Sequence, residues 1–300
     1  MAVTGAGGFV GRAVTRLGSA AGLEVVGLAR SESGLHAVLA AGGRPRLIPG
    51  LERGALAHAF EGMQAVVHLA QIGAERGGAS YEAVNVLGTR AVIEAGHDAR
   101  VGRIVFLSGL GVARYGTAER CTNRYFLSKL AAELELFRSG LPVTVFRPSY
   151  VVGPGGQLIR DLLREMAAGE VERVGAGDYR MQPIGVDDAA AAILAAAGGN
   201  EPRHRVFDLV GPEVVRYHQF LERLARVAAG LGQGGPHRIR QIPLEEALRQ
   251  AASGGYRGML SDELDCLLCD EVGDARPLEP LLGRVLTPLD DVLAAAIRGA

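Results

Sequence analysis

The sequence predicts an α/β protein built on a doubly wound, parallel β-sheet. Along the first 150 residues, short runs of small and β-branched apolar residues alternate with amphipathic segments of helical length. AVVHLA (65–70) and RIVFLS (103–108) show this best, because they are apolar almost throughout, as strands buried on both faces are. A regular alternation of strand and helix places helices on both sides of such a sheet.

The individual elements follow from the same patterns. We expect strands at 2–4, 24–29, 46–48, 65–70, 103–108 and 142–147. We expect helices at 9–21, 31–42, 80–97 and 122–139. These segments define a first domain over residues 1–150.

The pattern changes after residue 150. The glycine- and proline-rich loop 153–156 precedes a helix at 157–168, and residues 184–211 read as a helix and strand that return to the main sheet. Residues 213–300 are expected to be mostly helical, with breaks at 232–235 and 253–255. The sequence therefore predicts a smaller, mostly helical C-terminal domain over 151–300.

Composition and charge exclude several classes of protein. Apolar residues make up 48% and charged residues 22%, which is globular composition, and the net charge of −1 favours neither nucleic acid nor an anionic membrane. No apolar run reaches the ~18 residues of a membrane span. Val3 leads directly into a glycine-rich turn, which is unlike a signal peptide. We expect a cytoplasmic protein without an integral membrane segment.

Three cysteines, Cys121, Cys266 and Cys269, are too few for a disulfide framework. Cys266 and Cys269 form a CxxC pair, but no second ligand pair lies near it for zinc and no thioredoxin-like context surrounds it. We expect no metal site, and the sequence leaves the role of the two cysteines open.

The first predicted turn reads Thr4-Gly5-Ala6-Gly7-Gly8-Phe9-Val10-Gly11. Glycines in a GxxGxxG spacing allow a tight turn, close approach of the backbone to a pyrophosphate, and close packing of helix on strand. The helix start adds free N–H groups for the phosphates. A plain glycine-rich turn is the alternative. The context of strand before and helix after favours a Rossmann-type dinucleotide site, with Gly5, Gly8, Phe9, Val10 and Gly11 as its contacts.

Arg30 ends the second predicted strand, where an NAD site usually has an acidic residue for the ribose 2′-hydroxyl. A guanidinium there is suited to pair with a 2′-phosphate or to stack on adenine. The alternative is a solvated arginine. The sequence therefore favours NADP as cofactor and leaves NAD open.

Tyr125 and Lys129 lie four residues apart on a predicted helix, so both polar ends share one face. Lys129 is the only lysine in the chain, among 32 basic residues. A lysine beside a tyrosine lowers the pKa of the phenol and can hold the nicotinamide ribose, so the tyrosine can exchange a proton with a carbonyl oxygen. A purely structural Lys129 is the alternative.

These motifs together resemble the extended and atypical short-chain dehydrogenases/reductases, which include the NAD-dependent epimerases/dehydratases. The resemblance covers the first ~210 residues and rests on TGAGGFVG (4–11), VVHLA (66–70), NVLGT (85–89), YFLSK (125–129), FRPSYVVGPGG (146–156) and GVDDAAAAI (185–193). FLSGLG, RPSYVVGPG and QPIGVDDAA are most similar to the branch that contains the nucleotide-binding accessory subunit of respiratory complex I.

The resemblance implies roles for the matched positions. Tyr125 would be the acid/base and Lys129 the ribose contact, while Asn85 would match the family's structural and proton-relay asparagine. Ala70 would lie near the cofactor after the fourth strand. Arg147 and Pro148 would lie close to the nicotinamide.

Two positions depart from the family pattern. The catalytic Ser or Thr usually comes second in the pair that ends the fifth strand, but the pair here is Ser108-Gly109. Ser108 stands one residue early, so its hydroxyl reaches the site only if the strand has already ended. The acidic residue often found near adenine after the third strand is absent from 48–51.

Two functions fit these features. The first is an NADP(H)-dependent oxidoreductase or epimerase/dehydratase-like enzyme acting on a small carbonyl or alcohol, with Tyr125 as acid/base and Ser108 in a supporting role. The second is a non-catalytic or weakly catalytic dinucleotide-binding protein, such as a redox sensor or an accessory subunit of an assembly. The sequence identifies no substrate, and a homodimer or an accessory-subunit partner both stay open.

Overall fold

The computed structural model describes residues 1–199 and 204–300. In chain order, its strands are β1 (Ala2–Thr4), β2 (Val26–Ala29), β3 (Arg44–Leu47), β4 (Ala65–His68), β5 (Arg103–Leu107), β6 (Val143–Pro148), β7 (Val151–Val152), β8 (Glu170–Val174), β9 (Arg180–Met181), β10 (Ile184–Gly185), β11 (His204–Leu209), β12 (Val215–Arg216) and β13 (Arg238–Ile242).

Helices connect most of these strands. They are α1 (Phe9–Ala20), α2 (Glu32–Ala40), α3 (Arg53–Phe60), α4 (Gly88–Asp98), α5 (Arg124–Arg138), α6 (Gln157–Ala167), α7 (Val186–Gly198), α8 (Tyr217–Gly230), α9 (Leu244–Ala252), α10 (Ser261–Leu268), α11 (Leu278–Leu282) and α12 (Leu289–Arg298). A π-helical turn (Glu82–Leu87) leads into α4, and a 3₁₀ turn (Leu110–Arg114) follows β5. Within the described ranges, no helix is long and apolar enough to cross a membrane.

Within the described residues, seven strands form one parallel sheet in the order β11-β6-β5-β4-β1-β2-β3. The strand order reverses at β1, which pairs with β2 on one side and β4 on the other. The loops that leave β1 and β4 therefore diverge to opposite faces and open a crevice at the carboxyl edge, where ligands bind in such sheets. The prediction of a doubly wound parallel sheet is confirmed.

The two faces of the sheet bury separate apolar clusters. On one face α1 and α7 pack together, with Val3, Val67 and Phe146 from the strands among their buried partners. On the other face the cluster contains buried residues of α3, α4 and α5. The central strands are thus covered on both sides, which explains why β4 and β5 are mostly apolar.

The C-terminal region packs beside the carboxyl edge of the sheet. A third apolar cluster joins α6, α8 and α12, and a fourth joins α9 and α10. The region after residue 213 is less uniformly helical than the sequence predicts, because β12 pairs with β9 and β13 pairs with β8. The expected breaks at 232–235 and 253–255 follow the ends of α8 and α9.

Candidate active site and cofactor cavity

The turn between β1 and α1 requires glycine at two positions for steric reasons. Gly5 has φ of +68°, and a Cβ there would lie 2.8 Å from the Ala70 backbone nitrogen. A Cβ on Gly11 would lie 2.3 Å from the Gly5 carbonyl oxygen. The first turn of α1 contains no acidic residue and its start has no side-chain cap, so its N–H groups are available to an anion.

A cavity of about 660 Å³ runs along this edge of the sheet. It is lined by residues at or just after the carboxyl ends of β1, β2 and β4, by the segment after β3, and by the turn that precedes α4. Its charged and hydroxyl-bearing residues are Thr4, Arg12, Arg30, Ser31 and Ser33, and none of its lining residues is acidic. This size, the glycine cradle and the positive charge fit the adenosine half of a phosphorylated dinucleotide.

Four of the predicted cofactor residues line this cavity: Gly5, Gly8, Arg30 and Ala70. Phe9, Val10 and Gly11 do not line it. The side chains of Phe9 and Val10 pack against the core, and Gly11 lets the helix approach the turn. Any contact that these three positions make with a phosphate therefore comes from the helix backbone.

The start of α2 supplies cavity residues that the sequence analysis missed. Ser31 caps α2 by accepting a hydrogen bond from the Gly34 N–H at 3.2 Å, and its hydroxyl lies 3.1 Å from that of Ser33. Two hydroxyls therefore stand beside Arg30 at the end of β2. The signal was a Ser-x-Ser-Gly sequence directly after the predicted strand, since serine favours helix N-caps.

A chain of buried hydrogen bonds fixes the loop after β4. The Thr89 hydroxyl donates its only proton to the Asn85 carbonyl at 2.6 Å, so His68 Nε2, at 3.1 Å, must be the donor to Thr89. His68 Nδ1 then accepts from Thr4 at 2.8 Å. Burial lowers the pKa of His68 to about 3, so the ring stays neutral. His68 is therefore a hydrogen-bonded core histidine.

Asn85 joins this loop to the helix α5. Its Oδ1 accepts from the Ile72 N–H at 2.9 Å, and its Nδ2 donates to the Ile72 carbonyl at 3.1 Å and to Ser128 Oγ at 3.0 Å. The side chain is fully buried. These contacts give Asn85 a structural role, and its part in proton relay stays a prediction.

Tyr125 and Lys129 come together near the carboxyl end of β5. Asn123 caps α5 by accepting from the Phe126 N–H at 2.9 Å, which sets the start of the helix. Lys129 is only 3% exposed, and its Nζ donates to the Leu107 carbonyl at 2.8 Å and lies 5.8 Å from the Tyr125 ring centroid. The structure thus brings the predicted pair into one place.

The protonation states of this pair follow from burial. Burial lowers the pKa of Lys129 to about 7, while the nearby Glu133 carboxylate acts in the opposite direction. Burial raises the pKa of Tyr125, which is opposite to the lowering that was expected from the neighbouring Lys129. Without a ligand, Tyr125 is therefore a protonated phenol at neutral pH, which is the form that can donate a proton.

Ser108 and Gly109 follow the end of β5 at Leu107. Ser108 is buried, and among the residues that the structure describes its Oγ has no hydrogen-bond partner. A Cβ on Gly109 would lie 3.4 Å from the Phe126 ring and 3.8 Å from the Tyr125 ring. The position that usually carries the hydroxyl therefore faces Tyr125 and has room for a side chain.

The Arg147 guanidinium is paired within the protein. Its guanidinium forms a two-pronged ion pair with the buried Glu133 carboxylate, at 3.0 and 2.6 Å. Neither Arg147 nor Pro148, at the end of β6, lines the cavity. In this arrangement Arg147 holds the carboxylate that stands near Lys129, so contact of either residue with a nicotinamide stays a prediction.

Residues from the C-terminal region pack around Tyr125. Cys121 is far in sequence from Cys266 and Cys269, but all three share one apolar cluster with Tyr125 and Phe126. Burial raises the pKa of all three thiols, so they stay protonated and pack as small apolar groups. The CxxC pair thus belongs to the wall of the site, a role that the spacing alone did not reveal.

Glu271 and Tyr150 complete this wall. Glu271 is 8% exposed, and burial raises the pKa of its carboxyl to about 8. The Tyr150 hydroxyl donates to the Leu267 carbonyl at 2.9 Å, which ties the loop after β6 to α10. Tyr125 is therefore surrounded by aromatic, thiol and carboxyl groups from distant segments, while the Glu133 carboxylate lies near Lys129.

Comparison with known proteins agrees with this geometry. The model of the NAD dependent epimerase/dehydratase family matches residues 1–225. A 2-alkyl-3-oxoalkanoate reductase from Stenotrophomonas maltophilia is 31% identical over 214 residues, which cover 65% of this chain and 64% of the relative. This chain therefore spans less than two thirds of that relative's length.

A second relative matches over a longer stretch. A 4-hydroxy-2-methyl-3-oxo-4-farnesyl-3,4-dihydroquinoline-1-oxide ketoreductase from Stigmatella aurantiaca is 27% identical over 268 residues, covering 84% of this chain and 78% of the relative. Among solved structures, MoeE5 in complex with UDP-glucuronic acid and NAD is 24% identical, with a TM-score of 0.76 over 99% of this chain and 97% of that one, which shows a shared fold. By its family match, the chain belongs to the NAD dependent epimerase/dehydratase family, whose members are NAD(P)-dependent oxidoreductases and epimerases of the short-chain dehydrogenase/reductase type.

Proposed function

We propose that this protein is an NADP(H)-dependent oxidoreductase that interconverts a ketone and a secondary alcohol, with Tyr125 as the acid/base. The observation that carries the proposal is the meeting of Tyr125 with the buried Lys129 at the carboxyl edge of the sheet, beside a cavity with a glycine cradle. An epimerase or dehydratase would use the same residues. The two relatives with 3-oxo substrates in their names favour reduction of a ketone.

The preference for NADP(H) rests on the charges at the end of β2. Arg30, Ser31 and Ser33 line the cavity together, and no lining residue carries a carboxylate that would repel a 2′-phosphate. A guanidinium and two hydroxyls form a suitable set of donors for a phosphate group. Arg12, which also lines the cavity, adds positive charge at the start of α1.

Tyr125 and Lys129 have different roles in the proposed reaction. The bound dinucleotide supplies the hydride for the carbonyl carbon. The protonated Tyr125 phenol donates its proton to the carbonyl oxygen, so that the product is an alcohol. The Lys129 ammonium stabilises the phenolate that remains, and the solvent returns a proton to Tyr125.

Two observations favour a second candidate, a dinucleotide-binding protein with little or no turnover. Gly109 cannot give the substrate the hydrogen bond that a serine or threonine gives in complete family members. The cavity is lined mainly by the adenosine-side residues and includes neither Tyr125 nor Lys129. Such a protein would use the dinucleotide to sense redox state or to support an assembly as an accessory subunit.

An assay of NADPH oxidation separates these candidates. The purified protein is incubated with NADPH and a panel of 3-oxoalkanoates, aromatic ketones and UDP-sugars, and products are identified by mass spectrometry. The proposal expects NADPH to be consumed in equal amount with an alcohol product for at least one ketone. Tight NADPH binding without turnover of any ketone in the panel would favour the binding protein.

We also propose a homodimer formed through α4 and α5. Leu127 and Leu134 lie two turns apart on α5 and are 47% and 43% exposed, and Leu87, just before α4, is 45% exposed. Large apolar side chains at i and i+7 on a free helical face are typical of a helix-to-helix interface. The two helices already pack against each other within the chain, so a second copy would complete a four-helix contact.

A further inference from the structure

Gln71 sits in a loop whose backbone is held on both sides. Before it, the Leu69 and Ala70 N–H groups donate to Thr4 Oγ1 at 3.2 and 3.1 Å. After it, both backbone polar groups of Ile72 bond to Asn85. Hydrogen bonds therefore hold the backbone of the loop after β4 on both sides of Gln71.

The amide of Gln71 is buried without a partner. Among the described residues, neither Nε2 nor Oε1 has a hydrogen-bond partner, although both atoms are shielded from solvent. Leaving a buried donor and a buried acceptor unpaired is costly, so most native proteins pair them. Gln71 also lines the cofactor cavity, next to the glycine turn.

We propose that the Gln71 amide binds the adenosine-diphosphate half of the dinucleotide. Its Nε2 would donate to a phosphate or ribose oxygen, and its Oε1 would accept from a ribose hydroxyl. The inference rests on the proposed dinucleotide function. It assigns the adenosine half because the cavity reaches Arg30 and Ser31 but does not include Tyr125 or Lys129.

This role predicts an unusual pair of effects for Gln71→Leu. The substitution removes two unpaired polar atoms from a buried place, so the ligand-free protein becomes more stable, with Tm raised by about 2 °C. The same substitution removes the hydrogen bonds to the ligand, so affinity falls about tenfold. A glutamine with a merely structural role would instead lose stability when replaced.

Gln182 provides a matched control. It is a buried glutamine whose amide is paired on both sides, since Nε2 donates to the Gly211 carbonyl at 2.8 Å and Oε1 accepts from the Gly273 N–H at 3.0 Å. Gln182→Leu leaves two backbone groups without partners. We expect it to lower the Tm of the ligand-free protein, opposite in sign to Gln71→Leu.

The experiment combines thermal unfolding of the ligand-free proteins with calorimetric titration of NADP⁺ and of 2′-phospho-ADP-ribose. The wild type is expected to bind both ligands, and Gln71→Leu is expected to weaken both by a similar factor. If the wild type binds neither, the proposed function itself fails. If the wild type binds both and Gln71→Leu binds equally well, or weakens only NADP⁺, the assignment of Gln71 to the adenosine half is overturned.

Discussion

Tyr125 has the environment of a proton donor rather than of a resting phenolate. Burial raises its pKa, and Lys129 lies 5.8 Å from its ring centroid, where the proposed reaction would use its charge to stabilise the phenolate. The proposed reaction in the reducing direction needs this order of events. The state of this one hydroxyl therefore decides whether the site catalyses or only binds.

We predict that Tyr125→Phe lowers the turnover of any ketone substrate by about 10²–10⁴-fold, because a positioned general acid contributes that much. The phenyl ring keeps the packing against Tyr81 and Phe126, so cofactor affinity stays nearly unchanged. Steady-state kinetics and cofactor titration of the same preparation test this. Full activity in Tyr125→Phe would show that the motif is vestigial in this chain.

Gly109→Ser tests the effect of restoring the hydroxyl that this chain lacks beside Tyr125. Its backbone is extended, and an added Cβ meets only ordinary contacts at 3.4 and 3.8 Å, so Gly109→Ser is expected to fold. The new hydroxyl would stand beside the Tyr125 ring and supply the missing substrate hydrogen bond. Turnover is expected to rise in this variant, and a fall in turnover with intact cofactor binding would argue against a substrate at this place.

We predict that Lys129 makes cofactor binding depend on pH. Its pKa in the free protein is about 7, so it loses its charge as pH rises above this value, whereas a ribose or phenolate partner favours the charged form. Binding then takes up a proton above pH 7, and affinity is expected to fall by up to about tenfold per pH unit. Glu133 and Cys266 also face Lys129 and act to raise its pKa. Lys129 in turn lowers the pKa of the neutral His68 beside it.

Calorimetric titrations between pH 6.5 and 9 measure this dependence. Lys129→Met is the control, because it lacks the amine. The 2′-phosphate of the ligand and every other titrating group of the protein stay the same. We expect weaker binding by this variant and a smaller change with pH. An identical pH slope in the two proteins would mean that Lys129 is structural.

At the scale of elements, local sequence patterns predict the central strands of the main sheet but not the short strands outside it. β1, β4, β5 and β6 were predicted correctly because strands covered on both faces are mostly apolar. β13 was missed because it is short and mostly exposed, and its partner β8 lies 68 residues earlier. Neither segment alone has a pattern that predicts this pairing.

The candidate site also combines residues that are close in sequence with residues that only the fold brings together. The glycine turn and the Tyr125–Lys129 pair are short spacings within one turn or helix, so their chemistry was visible in the sequence. The wall around Tyr125 joins Cys121 to Cys266 and Cys269, and the Gln71 loop joins Thr4 to Asn85. These contacts connect distant segments, and only the folded chain brings them together.

The junction of β1 and α1 supports a prediction about the glycine turn. In Gly11→Ala the new Cβ would lie 2.3 Å from one backbone oxygen and 2.7 Å from Ala6 Cα, so the helix must move away from the turn. We expect a loss of about 1–3 kcal/mol in stability and at least about tenfold weaker cofactor binding. Denaturant unfolding and titration measure both quantities.

Gly54 is the matched control for this substitution. It lies in α3, where a Cβ would meet no atom within 4 Å, so Gly54→Ala should stabilise the protein by about 0.5–1 kcal/mol and leave binding unchanged. Equal effects of the two substitutions would mean that the close approach of helix and turn has no role in binding.

At the scale of the whole molecule, the C-terminal region and the sheet share one site. α10 and the segment after it provide Cys266 and Glu271, and the loop after β6 contacts α10 through Tyr150. The family model matches residues 1–225, so Cys266 and Glu271 lie beyond the matched range. The narrower resemblance to the complex I accessory branch stays a prediction.

We predict that Leu127→Glu combined with Leu134→Glu turns a dimer into a monomer. A charge at each position would be buried against the same face of the second copy, at a cost that an interface of this kind cannot offset. Light scattering after size-exclusion chromatography measures the mass. Exposed Leu244→Glu, on α9, is the control and should leave the mass unchanged. A wild-type monomer at all concentrations would contradict the dimer.

Calorimetric titration of the wild-type chain with NADPH and with NADH tests most directly whether the cavity is an NADP(H) site. A charge-assisted hydrogen bond from Arg30 to the 2′-phosphate contributes roughly 1.5–3 kcal/mol, so NADPH should bind at least about tenfold more tightly than NADH. Arg30→Ala should bring the two affinities together. Equal affinities in the wild type, or tighter binding of NADH, would contradict the proposed site.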